Sequence, residues 1–222
     1  PQRSSSAEMS HMVAGYPSDE LSLTAARSLI KGGASILEVQ LAFSDPSADG
    51  PAIQKACSEV LSRGCRTDDG LSLIKKIHTE FPAVPIYIMS YASLIYTPGV
   101  DAFCKKAAEA GAKGMIIPDL PFDHDEGLTA ACKKYGMQNI PVAAPSMAEN
   151  RLNKMINAGF ESIYATLRTG ITGSKTTIDK KIIDFIKKAG SKGAKILGGF
   201  GIENGEQSEA LAKHVYAVVA GS

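Results

Sequence analysis

The side chains best suited to chemistry in this sequence are two carboxyl groups, those of Glu38 and Asp49. Glu38 lies inside the apolar run 36–41, and the period-two alternation of a strand puts it on the same face as Gln40. The other face carries only leucine and valine, so we expect that face to pack on helices and Glu38 to point inward. A carboxyl group there loses hydration, its pKa rises, and it can act as an acid or a base near neutral pH.

Asp49 follows this run in a loop, which predicts a second, more solvated carboxylate and therefore paired acid–base chemistry. The alternative is that a buried hydrogen-bond network holds Glu38, and that Asp49 and Asp45 only form turns beside Pro46 and Gly50. Spacing alone leaves both interpretations open.

A tyrosine near the end of another apolar run is the third candidate. Tyr164 can offer its hydroxyl to the same interior as Glu38. An ordinary core tyrosine fits the sequence equally well. Tyr91 and Tyr96 lie in a predicted loop over residues 90–96, where they could contact a substrate or a partner.

Three glycine-rich segments, residues 170–173, 198–201 and 220–222, each follow a short apolar run. Glycine lets main-chain N–H groups approach an anion, so a phosphate can be held without a lysine. Loops after the seventh and eighth strands of a β/α barrel often do this. The three segments together favour a phosphate site over the alternative of three tight turns.

Short apolar runs alternate along the whole chain with segments of helical period. The predicted strands are residues 12–14, 36–41, 85–89, 114–117, 139–142, 163–165, 195–198 and 217–220. Eight such units without a break predict an α/β protein, a single (β/α)8 TIM barrel over residues 1–222; a doubly wound parallel sheet is the alternative. The last helix is expected to be absent from the given chain, and the polar residues 1–10 to be disordered or foreign to the domain.

The composition narrows the functional class. The 222 residues are 44% hydrophobic, and 24 Lys and Arg against 23 Asp and Glu give a net charge of +1. This balance argues against disorder and against a nucleic-acid partner, and no apolar run approaches the roughly 18 residues of a membrane span. The four cysteines and four histidines are dispersed, which predicts reduced thiols in a cytosol-like compartment and no metal site.

Four motifs resemble those of the tryptophan synthase alpha chain family. They are Phe-Ser-Asp-Pro-Ser-Ala-Asp-Gly-Pro at 43–51, Ile-Pro-Asp-Leu-Pro at 117–121, Arg-Thr-Gly-Ile-Thr-Gly at 168–173 and Gly-Phe-Gly-Ile at 199–202. Their order and spacing match from about Gly15 to Ser222. The first and third motifs are specific to the family, whereas Gly-Phe-Gly-Ile and the final Gly-Ser occur more widely in phosphate-binding barrels.

The resemblance implies cleavage of indole-3-glycerol phosphate to indole and glyceraldehyde 3-phosphate, a retro-aldol reaction that needs no cofactor, in the cytoplasm. Glu38 falls on the family's acid–base glutamate, Asp49 on its second catalytic carboxylate and Tyr164 on a tyrosine near the reacting centre. The residues matching the phosphate cradle are Gly173, Gly201, Gly221 and Ser222, and those expected in the substrate pocket are His11, Thr172 and Phe200.

The resemblance also implies a partner. In this family indole passes to a pyridoxal-phosphate-dependent beta chain within an α2β2 complex, so pyridoxal phosphate would belong to the partner. Asp45, Pro46 and the loop 91–98 would lie on the side of that partner.

Three residues depart from the family's pattern. Gln40 stands where the family usually has glycine, Ala42 where it usually has proline, and His11 near the usual aromatic wall of the indole pocket. Gln40 is expected to crowd the indole or to hydrogen-bond Glu38. Two alternatives therefore stay open: a stand-alone lyase, and a regulatory subunit that activates the beta chain but has lost turnover because of Gln40.

Overall fold

All the strands run parallel in one sheet. The computed structural model describes residues 6–167, 178–199, 201–202 and 204–221. The strands are β1 (Ala7–Val13), β2 (Ile36–Gln40), β3 (Ile86–Met89), β4 (Ala112–Ile116), β5 (Gln138–Asn139), β6 (Val142–Ala143), β7 (Ser162–Thr166), β8 (Lys195–Gly199) and β9 (Ala217–Ala220). Their order in the sheet is β5-β4-β3-β2-β1-β9-β8-β7-β6, so strands that follow one another in the chain are neighbours except for β5 and β6.

The sheet closes on itself through a break in one strand. β5 and β6 stand at opposite ends of the hydrogen-bonded order, yet only Ile140 and Pro141 separate them in the chain. They are two halves of the predicted strand 139–142, interrupted because Pro141 has no N–H group to donate to a ladder. The nine segments thus fill eight positions of a β/α barrel, which confirms the predicted fold class.

Helices cover the outside of this barrel. They are α1 (Asp19–Gly32), α2 (Pro51–Ser62), α3 (Thr67–Glu80), α4 (Ala92–Tyr96), α5 (Val100–Glu109), α6 (Leu128–Lys134), α7 (Glu149–Asn157), α8 (Lys180–Ala189) and α9 (Gly205–Ala212). α1 begins after Ser18, whose hydroxyl caps the helix by accepting a hydrogen bond from the Leu21 N–H. In the described part of the chain, no helix combines the length and the apolar character needed to cross a membrane.

The segment 90–96, predicted as a loop, is partly helical. α4 begins at Ala92, whose main-chain N–H donates to the Asp119 carboxylate at 3.0 Å. Five residues are too few for a helical period to show in the sequence, and the stabilising carboxylate comes from the next strand–helix connection.

The first strand begins earlier than predicted. β1 starts at Ala7 and pairs with β2 on one side and β9 on the other, so residues 7–10 belong to the barrel. The prediction that they are disordered was wrong because Glu8, Ser10 and His11 interrupt the apolar run. Paired on both sides, the strand buries Ser10 without an apolar sequence.

The alternation predicted for β2 is confirmed. Leu37 and Val39 pack in the core between the sheet and the helices. Ile36 lies on the other face, in the barrel interior, with Met9 and Leu197. These apolar side chains fill the barrel interior below the polar side chains that line the cavity, such as Glu38 and Gln40.

Candidate active site

A cavity of about 340 Å³ lies at the carboxyl ends of the strands, where β/α barrels place their active sites. Residues at or just beyond the ends of β3, β4, β7, β8 and β9 line it. Polar groups enter it from β1, β2, β7 and the loop after β2: His11, Glu38, Gln40, Asp49 and Tyr164. Among the described side chains, no three His, Cys, Asp or Glu residues are grouped so that they could hold a metal ion.

The Glu38 carboxyl group is nearly cut off from water. The residue is 3% exposed, and no hydrogen bond to its side chain is formed within the described ranges. Burial, and secondly the charge of Asp49, raise its pKa to about 8. At pH 7 Glu38 is therefore mostly a neutral acid that can give up a proton with little cost.

Asp49 is as buried as Glu38, with 2% of its surface exposed, and the prediction that it is the more solvated carboxylate was wrong. Its Oδ2 accepts hydrogen bonds from Gln40 Nε2 and from the Tyr91 hydroxyl, each at 2.7 Å. The Tyr91 oxygen in turn accepts from the Ala48 N–H at 3.1 Å, which ties the loop over the barrel mouth. These donors replace the water that a loop carboxylate would otherwise need.

Gln40 is fully buried and connects two walls of the cavity. Its amide nitrogen faces Asp49, and its Oε1 lies 2.8 Å from His11 Nε2. The expectation that it hydrogen-bonds Glu38 was wrong, because its side chain reaches the loop carboxylate instead. Burial lowers the pKa of His11, an effect that the Gln40 contact and the Asp49 charge only partly offset, so the ring is neutral at pH 7.

Tyr164 brings a phenol to the cavity from β7. The residue is 6% exposed, and burial together with the charges of Glu38 and Asp49 raises its pKa well above the usual value. Its hydroxyl remains protonated throughout the physiological range. The group lies against the end of β8, since a Cβ added to Gly199 would be 2.8 Å from the Tyr164 oxygen.

Two of the three glycine-rich segments reach the same cavity. Gly201 follows β8 and Gly221 follows β9, and both line it. Gly201 has φ of 115°, a conformation that residues with a Cβ rarely adopt. The other predicted residues of the phosphate cradle and pocket, Gly173, Ser222, Thr172 and Phe200, lie outside the described residues.

Sequence reasoning did not foresee the part played by Tyr91. It is 1% exposed and donates to Asp49, whereas Tyr96, the other aromatic of the segment, is 37% exposed. The available signal was its position, because Tyr91 follows β3 almost directly and so lies at the same end of the barrel as Asp49.

The rest of the lining is largely apolar. Ile53, Met89, Ile116, Val142 and Val219 contribute side chains to the cavity. The site therefore combines an apolar space, a neutral carboxyl group, a fixed carboxylate and glycine loops at one side. Such a lining suits a ligand that has both an apolar part and polar groups.

A model of one protein family matches nearly the whole chain. It is described as "Tryptophan synthase alpha chain" and matches residues 2–222. The tryptophan synthase alpha chain of Helicobacter hepaticus is 40% identical over 220 residues, which cover 96% of this chain and 82% of that protein. The corresponding protein of Aquifex aeolicus is 35% identical over 218 residues, with coverage of 96% and 82%.

Solved structures give the same result. A chain from the tryptophan synthase α2β2 complex of Pyrococcus furiosus superposes with a TM-score of 0.88 at 27% identity, covering 98% of this chain and 88% of that one. A chain of Mycobacterium tuberculosis tryptophan synthase gives a TM-score of 0.87 at 26% identity, with coverage of 98% and 83%.

Proposed function

We propose that this chain, which belongs to the tryptophan synthase alpha chain family, cleaves indole-3-glycerol phosphate to indole and glyceraldehyde 3-phosphate, with Glu38 handling both protons. The observation that carries the proposal is the Glu38 carboxyl group, which faces the cavity and is kept neutral by burial. Membership of the family supports a lyase role in tryptophan synthesis, and the geometry of the site supports this particular reaction.

The cleaved bond joins carbon 3 of the indole ring to the carbinol carbon of the glycerol chain. Glu38, as the neutral acid, donates its proton to carbon 3, which leaves positive charge on the ring nitrogen. The Glu38 carboxylate then takes the proton of the neighbouring hydroxyl. The carbon–carbon electrons return to the ring, the hydroxyl oxygen forms the aldehyde, and Glu38 regains its proton, so protons balance.

Asp49 acts in this proposal on the charge that develops. A carboxylate facing the ring N–H stabilises the positive charge formed when carbon 3 is protonated. The interaction is stronger in the transition state than with the neutral substrate, so it lowers the barrier rather than only tightening binding. Tyr164, always protonated, can donate to an oxygen of the glycerol chain.

The phosphate would bind at the glycine loops. Gly201 and Gly221 line the side of the cavity formed by β8 and β9. Phosphate held there by main-chain N–H groups fixes the far end of the substrate and orients the bond that breaks.

A beta chain is the proposed partner. The Pyrococcus furiosus relative is described as part of an α2β2 complex, and this chain covers 88% of it. In the proposal, Asp45, Pro46 and the segment 91–98 face that partner, which holds pyridoxal phosphate and uses the indole. The cleavage itself relies on side chains of this chain and no cofactor of its own.

The test is release of indole from indole-3-glycerol phosphate by the purified chain, with and without a tryptophan synthase beta chain. Glu38→Gln keeps the volume of the side chain but removes its acid–base chemistry, and we expect a loss of at least about a thousandfold. Glu109→Gln, the same change at an exposed helix end, is the matched control and should leave release unchanged.

The other outcomes separate the alternatives. Release that is indifferent to the beta chain favours a stand-alone lyase. Absence of release, combined with substrate binding and stimulation of the beta chain, favours the regulatory subunit. Full activity of Glu38→Gln would overturn the assignment of Glu38.

A further inference from the structure

We propose that Gln40 is a positioning residue, which ties the Asp49 carboxylate to the His11 ring and leaves only one Asp49 oxygen free to face the substrate. The inference rests on the proposed function, in which the Asp49 carboxylate faces the ring N–H group of the substrate. It concerns a residue that touches Asp49 and not the reacting atoms.

The orientation of the Gln40 amide follows from its neighbours. A carboxylate can only accept hydrogen bonds, so the Gln40 group 2.7 Å from Asp49 Oδ2 is its NH2 group. The amide oxygen then faces His11 Nε2 at 2.8 Å and can only accept, so this ring nitrogen carries the proton. One amide thereby fixes both the carboxylate rotamer and the tautomer of the imidazole.

Asp49 Oδ2 has no capacity left for substrate. It accepts from both Gln40 and the Tyr91 hydroxyl at 2.7 Å, and both donors are buried. No hydrogen bond to Oδ1 is formed by the described residues. The remaining oxygen is the one available for an N–H group in the cavity, which is the single donor that an unsubstituted indole ring offers.

The bridge also spans the cavity wall. β1 pairs with β2 so that His11 lies opposite Glu38. On the other side of His11, a Cβ added to Gly221 would lie 3.4 Å from His11 Cβ. His11 therefore stands between the carboxylate end of the cavity and the β9 glycine loop. Without Gln40, the His11 ring would lose its hydrogen bond. In the proposal, this ring lies between the part of the cavity that binds the indole and the part that binds the phosphate.

The experiment compares three variants in indole release. Gln40→Met keeps the length of the side chain and removes its hydrogen bonds to Asp49 and His11. We expect kcat to fall about tenfold to one-hundredfold, with KM changed less than about threefold. Gln54→Met is the matched control, because Gln54 donates to the main-chain oxygen of Asp49 at 2.8 Å and not to its carboxylate. The kcat of Gln54→Met should fall less than about threefold.

Gln40→Glu distinguishes positioning from packing. It keeps the shape but sets a second carboxylate against Asp49, so kcat should fall further than in Gln40→Met at pH 8. Activity should recover towards pH 6, where the introduced group regains a proton and can donate again. Equal losses in Gln40→Met and Gln40→Glu at every pH, or wild-type kcat in Gln40→Met, would overturn the proposal.

A second measurement is independent of turnover, so it still decides the matter if the wild-type chain releases no indole and the proposed function fails. It is the NMR titration of the His11 ring. The titratable groups lining the cavity with His11 are Glu38 and Asp49 from β2 and its loop and Tyr164 from β7; β9 contributes the main chain of Gly221. Gln40→Met should lower the His11 midpoint further, because the contact raises it. An unchanged midpoint would show that the bridge is absent.

Discussion

At the scale of single residues, the burial of Glu38 links reactivity to stability. The burial that keeps this carboxyl group neutral at pH 7 also lowers the free energy of unfolding at any pH where the group ionises in the unfolded chain. Its pKa rises from the usual 4.5 in an exposed chain to about 8 in the folded protein. The contribution of Glu38 to the free energy of unfolding is therefore fully present below pH 4.5. It is lost progressively as the pH rises to about 8, by roughly 5 kcal/mol in total.

Glu38→Gln should therefore stabilise the protein in a pH-dependent way. We expect the variant and the wild type to differ little in free energy of unfolding near pH 4.5, and the variant to be several kcal/mol more stable at pH 8. Urea unfolding across this range measures the difference. Glu109→Gln, at an exposed site, should give no difference that grows with pH, and a constant gain in Glu38→Gln would contradict the account.

The sequence predicted which side chains face the cavity better than it predicted their hydrogen-bond partners. Alternation along residues 36–41 placed Glu38 and Gln40 on one inward face, and the structure agrees. The buried state of Asp49 could not be predicted, because its donor Tyr91 comes from 42 residues further along the chain. Such a contact depends on how two loops fold over the barrel mouth, which no local pattern encodes.

At the scale of elements, the close packing of β8 against its neighbours positions Tyr164. A Cβ added to Gly199, the last residue of β8, would lie 2.6 Å from Val219 Cβ and 2.8 Å from the Tyr164 hydroxyl. The absence of a side chain at this one position lets β7, β8 and β9 bring their ends together around the cavity.

Gly199→Ala should consequently be destabilising by about 1–3 kcal/mol, because the methyl group forces Val219 and Tyr164 apart. Indole release should fall with it. Gly205→Ala is the control: Gly205 opens α9 and has open space around it, so alanine there should be neutral or mildly stabilising. Urea unfolding of the two variants checks this, and equal stabilities would refute the steric argument.

Element boundaries were predictable where apolar periodicity is strong. Strands β2, β8 and β9 lie within one residue of their predicted bounds, and the alternation of strands and helices predicted the barrel. The early start of β1 and the break at Pro141 escaped prediction for a common reason. Pairing with neighbours on both sides lets Glu8 and His11 lie in a strand. Likewise, only the pairing shows that Pro141 divides a strand whose two halves pair with β4 and with β7.

At the scale of the whole molecule, the cavity exists only because the sheet closes. His11 from the start of the chain, Glu38 from the second strand and Gly221 from the end meet through the adjacent strands β2, β1 and β9. The predicted barrel brings these segments to one face, whereas the size of the cavity and the Gln40 bridge depend on side-chain contacts that no sequence pattern specifies.

The most direct test of the central claim is the pH dependence of kcat/KM for indole release by the wild-type chain. If neutral Glu38 starts the reaction by donating a proton, kcat/KM is level below about pH 7. It then falls through a midpoint near 8 and drops tenfold per pH unit beyond it. Activity that instead rises through pH 8 would show that ionised Glu38 is the reactive form and would contradict the account.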